Sequence, residues 1–267
     1  IGGNGALINS AATEASLGGD LALTGDSSIG TSSGSIGITG AISGSYAITK
    51  VGSGTVTLSG TNTYTGLTTI SAGTLKLGNA SALGTTAAGT TITSGAVLDL
   101  NGQNISNDEA LTIRGTGILS GGALINSSAT GATYAGLVTL GSASSIVGGA
   151  GTITLSNVGT ISGSYALTLG GAAGGTVNSI IGIGSAALTK ADAGTWTLNG
   201  VNTYTGDTTI SGGTLVIGGS GSLGSGSYTG ALSVASGSSF YFSSSANQAF
   251  GSGSTGTIGA GEGTIYL

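Results

Sequence analysis

The fold class this sequence predicts is all-β, a β-solenoid of stacked coils, and three observations predict it. The 29-residue stretch from Lys50 to Gly78, KVGSGTVTLSGTNTYTGLTTISAGTLKLG, returns 140 residues later as Lys190 to Gly218, with 19 positions identical. One structural unit is therefore used twice. Within the unit, Val56 and Leu58 alternate with Thr55 and Thr57, and Leu75 and Leu77 flank Lys76, which is the period of a strand with its apolar set on one side. Such short runs cannot form a core alone, so equivalent runs from neighbouring turns of chain must cover them. Finally, GALINS at 5–10 recurs at 122–127 and ISGSYA at 42–47 recurs at 161–166, offsets of 117 and 119, whereas the strong repeat has an offset of 140. Between Tyr165 and Lys190 the offset grows from 119 to 140, so the second half carries 21 extra residues there, about one coil of a β-solenoid, the insertion length that keeps everything after it in register.

Along the chain, Ala6 to Ile8, Leu21 to Leu23, Ile36 to Ile38 and Ile42 to Ile48 read as strand pieces separated by Gly and Ser. Helix is opposed throughout by the Gly, Ser and β-branched content and by the lack of a sustained i, i+3, i+4 apolar pattern. After the first strong copy, Thr90 to Thr93, Ala96 to Leu100 and Ala110 to Arg114 are further strand candidates. The length of 267 residues corresponds to roughly 11 to 13 coils in one continuous body, 1–267, with strong repeats at 50–78 and 190–218 and weaker ones at 5–47 and 122–166. At ~4.8 Å per coil this is a rod roughly 50 to 65 Å long. The aromatic group Phe240, Tyr241 and Phe242, with Phe250 and Tyr266, reads first as core and second as a docking patch.

The pattern GxGTxTLxGxNTYTGxTTIxxGTLxxG resembles the passenger-associated strand repeat of bacterial autotransporters and large surface proteins. Its positions are Gly54, Leu58, Asn62, Tyr64, Gly66, Ile70 and Leu75 in the first copy, and Gly194, Leu198, Asn202, Tyr204, Gly206, Ile210 and Leu215 in the second. The resemblance covers two 29-residue stretches and implies a right-handed parallel β-helix and a location outside the cell or on its surface; adhesin, fibre and biofilm-matrix roles are expected beside it. A translocator barrel is also expected of that family, and none follows in this sequence.

Composition excludes several classes. Charged residues make up 5%, and Pro, Cys, Met and His are absent. There is accordingly no thiol nucleophile, imidazole base, usual zinc or iron–sulfur site, or disulfide, and no cofactor is expected. A net charge of −5 with only Lys50, Lys76, Arg114 and Lys190 as cations argues against nucleic acid. No apolar run reaches the roughly 18 residues of a membrane span, although the mean hydropathy is +0.42. Without an initiator Met, basic n-region or apolar leader, the sequence reads as a processed product or an excised segment.

Each candidate site also has a plain structural reading. The GxGxxG strings at Gly219–Gly224 and Gly251–Gly256 are turns, since neither opens a helix. Asp108, Glu109 and Arg114 form one local acid–base cluster, expected to be an exposed salt bridge rather than a glycosidase pair. Calcium at Asp20 or Asp26 lacks a supporting GGxGxD repeat. Asn62, Asn202, Tyr64 and Tyr204 read as a turn amide and a packed ring rather than a sugar platform. The Thr pairs 55/57, 152/154 and 195/197 raise an ice-binding ladder, but the pairs do not recur on every coil.

The functional expectation is an extracellular structural or adhesive rod without catalytic activity. Its expected partner is itself, stacked head to tail into filaments, or the flanking coils of a longer chain, together with a surface or matrix ligand. Ile1, Ile265, Tyr266 and Leu267 are the candidate end contacts. The alternatives are a carbohydrate-active lyase or hydrolase on the same scaffold and, less favoured, an ice-binding module.

Overall fold

The computed structural model describes residues 7–251, together with the backbone of the strands Gly256–Ile258 and Thr264–Tyr266. The chain is wound into about 12 turns of a β-solenoid whose strands pair in parallel from coil to coil. Among the described residues there is no α-helix, and the single-turn pieces Ile118–Ser120 and Gly224–Gly226 are 3-10.

Each coil has three sides. On the first, Leu7, Ile29, Lys50, Ile70, Ile92, Ile113 and Leu140 are stacked partners in successive coils. On the second, a row runs the length of the rod: Ala15, Ile36, Val56, Leu75, Leu98, Leu124, Ile146, Leu169, Lys190, Ile210, Val234 and Ile258. The third begins with Leu21–Ala22 paired to Ile42–Ser43 and, from Asn104–Ile105 onward, is an eight-stranded parallel sheet. Apart from Leu7, Ala15 and the two lysines, the inward residues of the first two rows from Ile29 to Val234 are buried Ile, Leu and Val. Each contributes about 1.5–3 kcal/mol by leaving water, and the next coil is what covers it.

The first two sides are joined in one coil by the 11-residue strand Val138–Gly148, which turns the corner without a break. It pairs with Leu111–Gly115 near its start and Leu124–Asn126 near its end, and its register slips between Ile113 opposite Leu140 and Gly115 opposite Ser144. Two extra residues are absorbed there as an irregularity rather than as a loop.

Coil length on the second side varies from 19 residues, Val56 to Leu75, to 26, Leu98 to Leu124. The variation sits in corners such as 116–122 and 101–110, while the strands stay aligned. The 21 extra residues of the second half form one whole coil, because Leu167, Thr168 and Leu169 stack directly on Leu188, Thr189 and Lys190.

The two strong copies are not stacked on the same side. Lys50 belongs to the first row and Lys190 to the second, and the weaker pair Leu7 and Leu124 is displaced in the same way. From Lys50 the chain completes six circuits and one further side before it reaches Lys190. The second half is therefore the first half's pattern carried along the axis and turned by one side. The one strand reading that the structure divides is Ile42 to Ile48, which is split into Ile42–Ser43 and Ile48–Val51 by a corner at Gly44, whose φ is 118°.

Deletion of residues 169–189 removes one whole coil and joins Thr168 to Lys190 in register. The shortened protein is expected to melt cooperatively and to be shorter by ~4.8 Å in solution scattering, whereas deletion of only ten of these residues is expected to abolish cooperative melting by circular dichroism.

Candidate functional site

The repeat motif builds a corner, and its polar residues are directed inward. Asn62 is buried and its carboxamide spans three coils: Oδ1 accepts from Ile42 N at 2.8 Å, and Nδ2 donates to Ala82 O at 2.6 Å. Asn202 does the same between Ile181 N, 2.9 Å, and Ser222 O, 3.0 Å. An Asn suits this place because it carries a donor and an acceptor in one rigid plane, matching a backbone amide of the coil below and a carbonyl of the coil above.

Tyr64 and Tyr204 are fully buried, and each hydroxyl meets the first Thr of the following TTI strand, Thr68 at 2.7 Å and Thr208 at 2.8 Å. Thr208 also meets the Tyr228 hydroxyl at 2.7 Å, and the Tyr204 and Tyr228 rings lie edge to face. Burial raises the Tyr64 and Tyr204 hydroxyls well above the ordinary phenol range, and Tyr228 to about 12.

Leu58, Ile70, Leu75, Leu198, Ile210 and Leu215 fill the core between these corners. Gly66 and Gly206 are needed for closeness: a Cβ at either would meet the carbonyl of the coil below, Tyr46 or Ala186. Gly54 and Gly194 meet the same constraint against Gly34 and Gly171.

The first residue of the repeat carries a charge into the interior. Lys50 and Lys190 occupy inward positions, 1% and 0% exposed. The Lys50 ammonium donates to Val51 O at 3.1 Å, Gly52 O at 2.7 Å and Ala72 O at 2.8 Å. Lys190 reproduces the arrangement on Ala191 O at 2.6 Å, Asp192 O at 2.8 Å and Gly212 O at 2.8 Å. All three donors are used, and in each case one acceptor belongs to the next coil, so the lysine is a staple between coils. Burial lowers both ammonium groups to about 8, with the Asp192 carboxylate opposing the shift at Lys190. The sequence reading missed this role, although both copies begin at the lysine and its place in the strand alternation puts it on the apolar side.

The carboxylates are spread out and mostly cap backbone. Asp20 accepts from Ala41 N, Asp26 from Ala47 N and Asp207 from Ala231 N, each holding a corner of the coil above. Asp99 is buried, accepts from Asn101 N, Ser127 N and the Ser127 hydroxyl, and lies 3.9 Å from Lys76.

The expected exposed cluster of Asp108, Glu109 and Arg114 does not form. Glu109 is fully buried, with the Thr90 hydroxyl donating to Oε1 at 2.9 Å, and Arg114 reaches Gly141 O at 3.2 Å. The reason is strand phase, which turns Arg114 outward while the preceding corner folds Glu109 inward. Residues Gly219–Gly224 form turns, with φ of 57° at Gly219 and 53° at Gly224, and most of Gly251–Gly256 lies outside the described residues.

Outward hydroxyls form ladders that pair-counting along the sequence did not detect. Ser28, Thr49, Thr69, Thr91, Thr112, Thr139 and Ser162 are consecutive partners on the first side. Thr168, Thr189, Thr209 and Ser233 follow on the second side, and Thr133, Thr154, Thr176 and Thr197 on the third. They are single file, with one hydroxyl per coil, so Thr-x-Thr pairs need not recur.

Towards the end of the chain, Phe240 is buried and meets Phe250 edge to face, which in turn meets Tyr228. Of the candidate end contacts, Ile1 and Leu267 lie outside the described residues. The backbone of Ile265 and Tyr266 is a strand paired with Phe240 and Tyr241.

The family model described as Passenger-associated-transport-repeat matches residues 48–77 and 188–217. No curated protein and no solved structure matches the chain.

Because the unfolded chain holds its lysine protons to a higher pH than the folded one, these lysines make stability rise with pH between about 8 and 10. Urea melts across that range are expected to show the rise, and Lys50→Met with Lys190→Met to abolish it. Lys50→Ala removes the partner of three partly buried carbonyls and is expected to cost about 1–3 kcal/mol for each one that water does not reach.

Proposed function

We propose that this chain, whose two passenger-associated-transport-repeats and β-solenoid fit a passenger-type β-helical protein, is a structural rod displayed outside the cell, without catalytic activity, that extends by axial stacking. The association of this repeat with secreted or surface-exposed passengers supports the location. The observation that carries the stacking is internal: the second half continues the parallel rows of the first as a copy turned by one side. One copy seated on another is thus already realised within the chain, and a neighbouring molecule or further coils can use the same backbone pairing.

The surface supports this reading. With 13 charged residues in 267, several of them used as caps or staples, little repulsion opposes a neighbouring rod. The exposed apolar side chains Tyr46, Leu67, Leu137, Val158 and Val201 are available for adhesive contact. The carbohydrate-active alternative finds less support, because Asp20, Asp26, Asp99 and Asp207 are committed to holding backbone amides.

A second reading rests on the hydroxyl ladders. One Thr or Ser per coil on a rigid frame offers a regular array to ordered water, as an ice-binding surface requires.

Electron microscopy and sedimentation of the purified chain over a concentration series test the main reading. Rods that lengthen in steps are expected, and a particle of constant length and mass at every concentration removes axial stacking. For the second reading, ice recrystallisation is expected to be suppressed by the wild type and restored by Thr69→Lys with Thr91→Lys. Crystals that coarsen normally with the wild type remove it.

A further inference from the structure

Glu109 is a buried acid that, among the described residues, caps no backbone amide and pairs with no cation. It ends the corner before Leu111–Gly115, in the longest coil of the second row, and is 0% exposed. Its Oε1 accepts the Thr90 hydroxyl at 2.9 Å, while Oε2 is buried with no hydrogen-bond partner among the described residues. Two residues earlier, Asn107 Oδ1 is also buried and unpartnered. The Glu109 main chain is tied down from both sides, its N–H donating to Asn107 O at 2.8 Å and its carbonyl accepting the Tyr134 hydroxyl at 2.8 Å.

The groups facing the carboxyl supply no counter-charge. From the coil below comes Thr90, and Tyr64 and Tyr134, whose hydroxyls feel its charge, are neutral phenols buried in the core. On its own segment stand Asp108, exposed and of like charge, and Asn107. The protein has four cations, and each is engaged elsewhere: Lys50 on Ala72 O, Lys190 on Gly212 O, Lys76 beside Asp99, and Arg114 on Gly141 O. An ionised carboxylate with one hydrogen bond and no cation is costly in an apolar interior, and a neutral acid far less so.

We propose that Glu109 is a proton-operated latch, its neutral acid closing the corner 106–110 over the core between Tyr64 and Tyr134, and its ionised form releasing that corner. The step is an ionisation: the acid gives its proton to solvent and the carboxylate turns outward to be hydrated. The displaced corner then takes the Glu109 carbonyl away from the Tyr134 hydroxyl. Burial sets the working range, raising the carboxyl to about 7 against the opposing Thr90 hydrogen bond. A group raised on folding gives its full stabilisation below the ordinary carboxylate range and loses it as pH climbs through about 7. The corner is therefore shut in mildly acid surroundings and loosened in mildly alkaline ones, with the rod on either side intact.

Hydrogen exchange of the full chain, read by mass spectrometry on peptides spanning 104–111 and corrected for intrinsic rates, tests this directly. Protection there is expected to fall on the order of 10- to 100-fold between pH 5 and 8, while peptides from 68–77 and 188–198 stay constant. Glu109→Gln, neutral at every pH, is expected to keep the corner protected throughout. A wild-type corner indifferent to pH overturns the proposal, as does an unchanged step in the Gln variant. Carboxyl-selective carbon NMR of the wild type decides independently of whether that variant folds. A Glu109 midpoint near 7 is expected, moving higher in Thr90→Val, and a midpoint in the ordinary carboxylate range overturns the latch.

Discussion

The structure depends on one geometric condition: each circuit of chain must return to the place where its strands meet those of the circuit before. Parallel strands cannot be joined by a tight hairpin, so every pairing here is bridged by the rest of a coil. Whatever happens in the corners must close on itself. Coils of 19 residues and of 26 meet the condition equally well, because the extra length is gathered into corners. The apolar rows follow from closure rather than cause it alone, since an Ile or Leu in one circuit is sheltered only if the next circuit arrives in step.

Closure also explains the polar residues that the interior tolerates. A corner leaves backbone groups without partners, and the chain supplies them with side chains placed once per repeat, the carboxamide of Asn62 and Asn202 and the ammonium of Lys50 and Lys190, while the hydroxyl of Tyr64 and Tyr204 pairs with the threonine that opens the following strand. Each joins its own coil to a neighbour or fixes a corner against the following strand. The repeat motif is thus a recipe for a corner that seals itself from within, and its polar letters are as much part of the core as the aliphatic ones. Glu109 departs from this rule, because its second oxygen is left without a donor.

Much of this was legible in the sequence. The alternation at Thr55–Leu58 and Gly73–Leu77 marked strands, and the 21-residue difference between offsets marked a whole inserted coil, which the stacking of Leu169 on Lys190 realises. The side on which each copy lies was not legible, since it depends on the sum of all corner lengths between them, and corner residues carry no periodicity. The inward lysines were obscured because Lys is ordinarily exposed. The hydroxyl ladders were missed because partners such as Thr69 and Thr91 are a full coil apart, at an interval that differs from coil to coil. Glu109 was read as exposed since charge and neighbours in sequence do not tell which way a corner folds.

The displacement of the second half by one side has a consequence for any longer array built on the same plan. With three sides to a coil, three successive halves bring the pattern back above its starting point, so a given motif position climbs the shaft like treads of a spiral stair. A flat body laid alongside would touch every third tread, whereas a thread winding about the shaft could follow them all.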